Sequence, residues 1–334
     1  MKLLSIDIAS IALKSVLLRR LQEIVYSLKE ALRRDKVSDL SSEGYLSKDI
    51  EQPQTVPLTI INRGTFEIEY VSAIALKLSR LTGELSADLA QTIVAQTIGA
   101  RLTESIKTVE DKAIARQSLS DALWRNFTVK VVPPGWIHLQ LSDLGLASWL
   151  QILTERSIRL DDRSRENFVY ENDNQLLRNS TKLFELQHTH ARCCSQIYLA
   201  QQAELLSSLN PSTLSHFYSN EPQAGSVSMP KLLPWLDSNQ SLRFQHPAEQ
   251  RLIAQLVATV DTLSDAPFQP SILKAGETLS QNFIDFHAAC RIFAEVKTAD
   301  LDLAQARLGL VLATRNVLKA LLEEGLAICA PLEL

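Results

Sequence analysis

The run Ala306-Arg-Leu-Gly-Leu-Val-Leu-Ala-Thr-Arg-Asn-Val-Leu-Lys-Ala-Leu-Leu-Glu-Glu-Gly-Leu-Ala-Ile-Cys-Ala-Pro-Leu-Glu-Leu334 decides the fold. Its apolar residues recur at helical spacing, with Leu310, Val317, Leu318 and Leu321 on a face to be buried. Arg315 and Lys319 stand at i,i+4 and share another face, with Arg307 earlier toward the same side. The spacing predicts a closing helix that packs on one side and carries a basic stripe on the other.

Working outward, the 334 residues have room for two domains of ordinary size, each with its own core. Aromatics make up only 6%, and there are 10 Gly and 12 Pro, a balance that favours helices over strands. The net charge of −4 argues against nucleic-acid binding driven by overall charge, so any such role must rest on a local patch. Cys193, Cys194, Cys290 and Cys329 form no C-x-x-C pair, which predicts free thiols in a reducing cytoplasm. Asp7 interrupts the apolar start, against a signal peptide, and no apolar run approaches the roughly 20 residues needed to span a bilayer.

Residues 3–35 read as a helix whose Lys14, Arg19, Arg20, Lys29, Arg33, Arg34 and Lys36 suit either a solvated face or a phosphate track. Residues 37–56 read as a polar loop, and Pro57–Asn62 as a strand. Helices are expected from about Val71 to Leu81 and from Ser86 to Leu102. Val129–Leu141 reads as two strands broken at Pro133-Pro134-Gly135. This predicts an α+β domain over residues 1–153. Residues 154–182 read as a linker, and residues 183–334 as helical apart from a Ser/Pro/Asn-rich break near 207–240.

Several linked motifs resemble the arginyl-tRNA synthetases. Gln187-His188-Thr189-His190-Ala191-Arg192-Cys193-Cys194-Ser195 resembles the family's Gln-Tyr-Ala-His-Ala-Arg-x-x-Ser helix, and His246-Pro247-Ala248-Glu249 its His-Pro-x-Glu helix start. Phe283-Ile-Asp-Phe286-His287-Ala-Ala-Cys290 resembles Phe-x-x-Phe-Tyr-x-x-Cys, and the quoted C-terminal run tracks the family's closing helix and terminal Ala-Pro. Nearer the N-terminus, Ile68–Leu76 takes the place of a Gly-Asp-Tyr-Ala-Thr-Asn-like turn into a helix, keeping Tyr70. Pro133-Pro134-Gly135-Trp136-Ile137-His138 takes the place of Gly-Pro-Gly-Phe-Ile-Asn. The resemblance implies an N-terminal additional-domain-like α+β domain, then an all-α DALR-type anticodon-binding bundle. It also implies RNA contacts from Tyr70, Trp136, His138, Gln187 and Arg192, to which the basic face of the closing helix adds Arg307, Arg315 and Lys319 as candidates. For Trp136, stacking on a base and plugging the core stand as equal readings.

The departures bear on function. The family's aromatic positions on the Gln187 helix fall on Glu185 and His188, and the chain closes on Leu332-Glu333-Leu334 where the family carries Arg and Met. No His-x-Gly-His occurs, and the methionines, Met1 and Met229, are misplaced for a Lys-Met-Ser-Lys-Ser loop. The interval between the two matched blocks is far below the ~100 residues of a doubly wound nucleotide domain. The expectation is a non-catalytic, cytoplasmic synthetase-like protein with no cofactor, metal, ATP or membrane contact. Its partner would be tRNA or another structured RNA. The alternative is a protein-interaction module that reuses the synthetase surface.

Overall fold

The computed structural model describes residues 5–37, 56–61, 67–110, 119–160, 180–203, 205, 233–265, 269–293 and 295–334. Nearly all of the expected 37–56 loop, most of the 154–182 linker and much of the 207–240 break lie outside the described residues. The chain forms two compact units, Lys14–Ser142 and a discontinuous one made of Met1–Leu13 with Asp143–Leu334. The boundary therefore falls at Ser142, not at Leu153, and the first residues belong to the helical unit.

The α+β unit is built on a four-stranded antiparallel sheet in the order β2-β3-β5-β4, with β2 Leu58–Ile61, β3 Glu69–Ser72, β4 Phe127–Val132 and β5 Trp136–Leu141. Registers Tyr70↔Leu139 and Phe127↔Leu141 put these side chains on one buried face, where Tyr70 and Phe127 meet edge-on at 6.3 Å. The unit's helices are α1 Leu13–Val37, α2 Ile74–Thr82, α3 Ser86–Glu110 and α4 Leu119–Arg125. Glycine ends α2, because Gly83 takes φ +76° and donates to the Ser79 carbonyl at 2.9 Å. The Pro133-Pro134-Gly135 break is a turn, as expected. The helix expected from Val71 starts three residues later, since Tyr70 and Val71 are held in β3 by partners on both sides.

In the helical unit, β1 Ser5–Asp7 pairs in parallel with β6 Ser157–Arg159. That pairing, and Asp7 Oδ1 accepting from Ala9 N at 3.1 Å, delay the helix expected from residue 3 until Leu13. Just before β6 in the chain comes α5 Asp143–Glu155, a helix absent from the sequence reading. Trp149, Leu150 and Leu153 are wholly buried on it, and Trp149 Nε1 donates to the Ile11 carbonyl at 2.8 Å. Then follow α6 Ser180–Gln202, α7 Pro247–Ser264, α8 Gln269–Ala289, α9 Glu295–Ala299 and α10 Leu301–Ala320, which ends in a π-helical turn, Leu321–Gly325.

Helix α10 is the hub, packed on α5, α6 and α7. It is buried almost all round, with Leu310, Val317, Leu318 and Leu321 at zero exposure as the spacing predicted. Asn316 Nδ2 donates to the Leu153 carbonyl at 2.8 Å, tying α10 to α5. A Cβ on Gly309 would stand 2.3 Å from Trp235 Cη2, so only glycine admits that ring. Trp235 Nε1 donates at 2.7 Å to Gln151 Oε1 on α5, which also accepts Leu233 N at 3.1 Å. Pro247 occupies the first turn of α7 behind a complete His246/Glu249 capping box.

Candidate nucleic-acid interface

In the α+β unit, Tyr70 has no exposed surface and serves the core. His138 is 8% exposed, with Nδ1 2.6 Å from Glu69 Oε1 on the neighbouring strand. Both are therefore committed to the sheet. Trp136 is 38% exposed at the start of β5, paired with the exposed Val132 of β4, and is the one aromatic of this group that shows a face to solvent.

In the helical unit, the Gln187 to His190 turn of α6 grips the chain's own C-terminal segment. Gln187 Nε2 donates to the Cys329 carbonyl at 3.0 Å, and His190 Nδ1 donates to the Pro331 carbonyl at 2.8 Å. Two motifs that the sequence shows far apart, Gln-x-x-His and Ala-Pro, are thus halves of one clasp. His190 is fully buried, and its Nε2 meets no hydrogen-bond partner among the described residues. Burial above all lowers its pKa to about 4, aided by the charges of Arg315 and Lys319 and opposed by the Pro331 carbonyl. His190 is therefore neutral near pH 7, as an Nδ1–H tautomer.

Arg315 was expected on an exposed stripe, but only 5% of it reaches solvent. It turns inward to Cys194 and donates through Nη1 to Asn316 Oδ1 at 3.0 Å. Helix α10 has neighbours on three sides, so an i,i+4 pair on it need not be an outer face. Lys319 is half exposed, 3.8 Å from Glu323 in the π-helical turn. Arg307 is likewise internal. It bonds through Nε to Glu249 Oε1 at 2.6 Å and through Nη1 to the Arg291 carbonyl at 2.7 Å, while Glu249 is 1% exposed. The thiols of Cys193, Cys194 and Cys290 are held in the neutral form. Burial raises the pKa of Cys193 and Cys194, and burial with the Glu249 charge raises Cys290 to about 11. Among the described residues no group of three ligating side chains forms a metal site.

What does face solvent is one side of α6. Phe184, His188 and Arg192 recur at i, i+4 and i+8, and all three are exposed. The Phe184 and His188 rings stack at 6.0 Å with 23° between planes. Arg192 Nη2 lies 3.4 Å from His287 Nδ1 on α8. Phe184 is 56% exposed, one residue before Glu185, the position to which the resemblance assigns the family's aromatic. Its spacing from His188 was the available signal. This face offers flat rings beside a cation, a combination suited to an unstacked base and its phosphate.

Comparison with known proteins converges on the same half of the chain. Residues 186–324 match the DALR anticodon binding domain family. Over 147 residues the chain is 31% identical to the arginine–tRNA ligase of Synechococcus sp. (strain JA-3-3Ab), covering 43% of this chain. The chain spans only about a fifth (21%) of the length of that relative. No solved structure matches this chain. The protein is thus arginine–tRNA-ligase-like in its C-terminal half. Among the described residues there is no doubly wound nucleotide-binding sheet, the sheets being a parallel pair and an antiparallel four. None of the described helices is long and apolar enough to cross a membrane.

Proposed function

We propose that this chain binds tRNA or another structured RNA through its helical unit, in a regulatory or accessory role without aminoacylation chemistry of its own. The observation that carries this reading is the exposed Phe184–His188–Arg192 row, lying within or beside the stretch that matches an anticodon-binding domain. Trp136 on the α+β unit and Lys319 at the end of α10 are secondary candidates, because both are exposed enough to meet RNA. Gln187 would contribute through the clasp rather than through a free amide. Tyr70, His138, Arg307 and Arg315 support the scaffold.

The test is recovery of the tagged protein from its native extract at moderate salt, with bound RNA sequenced. Enriched tRNA that is lost in a Phe184→Ala, Arg192→Glu variant supports the reading. A stoichiometric protein partner without RNA would replace it with the protein-interaction reading. That second reading draws on the adjacent Tyr198 and Leu199, both about half exposed near the end of α6.

A further inference from the structure

Helices α6 and α8 run side by side in the same direction, since Lys182 pairs with Glu277 at 2.6 Å and Arg192 meets His287 further along both. Of these two contacts the first joins opposite charges and the second does not. A guanidinium has only donors, so His287 Nδ1, 3.4 Å away, accepts, and the ring is neutral in this contact. Among the described residues neither side chain meets a carboxylate. Glu277 is held by Lys182, Asp285 accepts from Gln281, and Glu249 on α7 is bound by Arg307. The His287 pKa is lowered, first by burial and then by the charge of Arg192, with no acidic group acting in the opposite direction. On its own helix the ring leans on Phe283, at 6.2 Å.

Two basic side chains fixed at contact distance, with no anion supplied by the protein, form an incomplete ion cluster. An oxyanion placed between them would accept from Arg192 and, once the ring is protonated, from His287. The place also suits RNA. Arg192 lies one helical turn beyond His188, and a turn rises ~5.4 Å, comparable to the reach from a stacked base to its own phosphate. We infer that Arg192 and His287 form a clamp for one backbone phosphate of the bound RNA, and that His287 takes up a proton from solvent as the phosphate seats. This rests on the RNA-binding reading and adds to it a phosphate position and a coupling to pH.

Binding linked to uptake of one proton tightens as pH falls, by at most about tenfold per pH unit. The experiment measures binding of unfractionated tRNA by fluorescence anisotropy across about pH 5.5–7.5, the range in which histidine titrates. Wild type is compared with H287Q and R192Q, all at one ionic strength. In parallel, the His287 ring is titrated by NMR in inorganic phosphate and in chloride. The expected result is tightening toward low pH in wild type and a flat profile in H287Q. R192Q should bind more weakly at every pH, and phosphate should raise the His287 pKa only when Arg192 is present. An unchanged pH profile in H287Q, with tRNA still bound, overturns the clamp and leaves the RNA reading intact. If tRNA fails to bind but phosphate still raises the His287 pKa through Arg192, the clamp stands as an anion site and the RNA reading falls. Failure of both readouts overturns both.

Discussion

At the scale of single residues, the basic side chains of the helical unit divide by partner. Arg307 carries a charge into the interior because Glu249 receives it, and Glu249 Oε2 also accepts the His246 backbone N–H at 2.9 Å in the α7 cap. Removing one member strands the other charge where water cannot reach it. Arg307→Met should therefore cost about 3–5 kcal/mol, whereas Arg192→Gln on the exposed face should leave stability almost unchanged. Urea midpoints of the two variants check this. His190 makes a second prediction. Its folded pKa of about 4 lies below the ordinary 6.5, so the unfolded chain binds a proton that the folded chain refuses. The associated stability is complete above pH 6.5 and is lost as pH falls toward about 4. The shift corresponds to roughly 3 kcal/mol at most. His190→Asn keeps a donor for the Pro331 carbonyl and removes the titrating ring. Its urea midpoint should fall less between neutral and acid pH than that of wild type.

At the scale of elements, α5 belongs to a unit other than the one its sequence position suggests. It follows the last strand of the α+β sheet directly, yet its Trp149, Leu150 and Leu153 are buried within the helical unit, and Gln151 and Asp143 hold the segment around Trp235 and Leu242. A fragment spanning residues 180–334 lacks this cover. It should bind a hydrophobic dye and melt below the full chain, by calorimetry or circular dichroism. Trp149→Ala should cost about 3–5 kcal/mol in the intact protein. The Gly309–Trp235 contact provides a sharper test. Gly309→Ala should destabilise by about 1–3 kcal/mol through overpacking, and Trp235→Leu should relieve part of that cost in the double variant. Strictly additive losses would show that the close approach is not what constrains Gly309.

At the scale of the whole molecule, the proposed RNA binding by a chain of net charge −4 would rest on a local patch, so affinity should fall with salt by a slope near one per phosphate neutralised. Arg192→Gln should reduce that slope by about one. By itself the sequence determined the closing helix and its buried Leu310/Val317/Leu318/Leu321 face, the α7 cap at His246-Pro247, the turn at Pro133-Pro134-Gly135 and the helical character of the C-terminal half. These are legible because periodicity, capping and turn chemistry depend on neighbours a few residues away. Only the tertiary structure decided that residues 5–13 and 143–159 complete the helical unit, that Arg315 and Arg307 point inward, and that Gln187 and His190 hold the tail. It alone showed that the Phe184, His188 and Arg192 side of α6 faces solvent, with the half-buried His287 of α8 beside Arg192. The physical reason is the same in each case. A periodic pattern tells which residues share a helix face, but whether that face meets solvent depends on how many other elements pack against it.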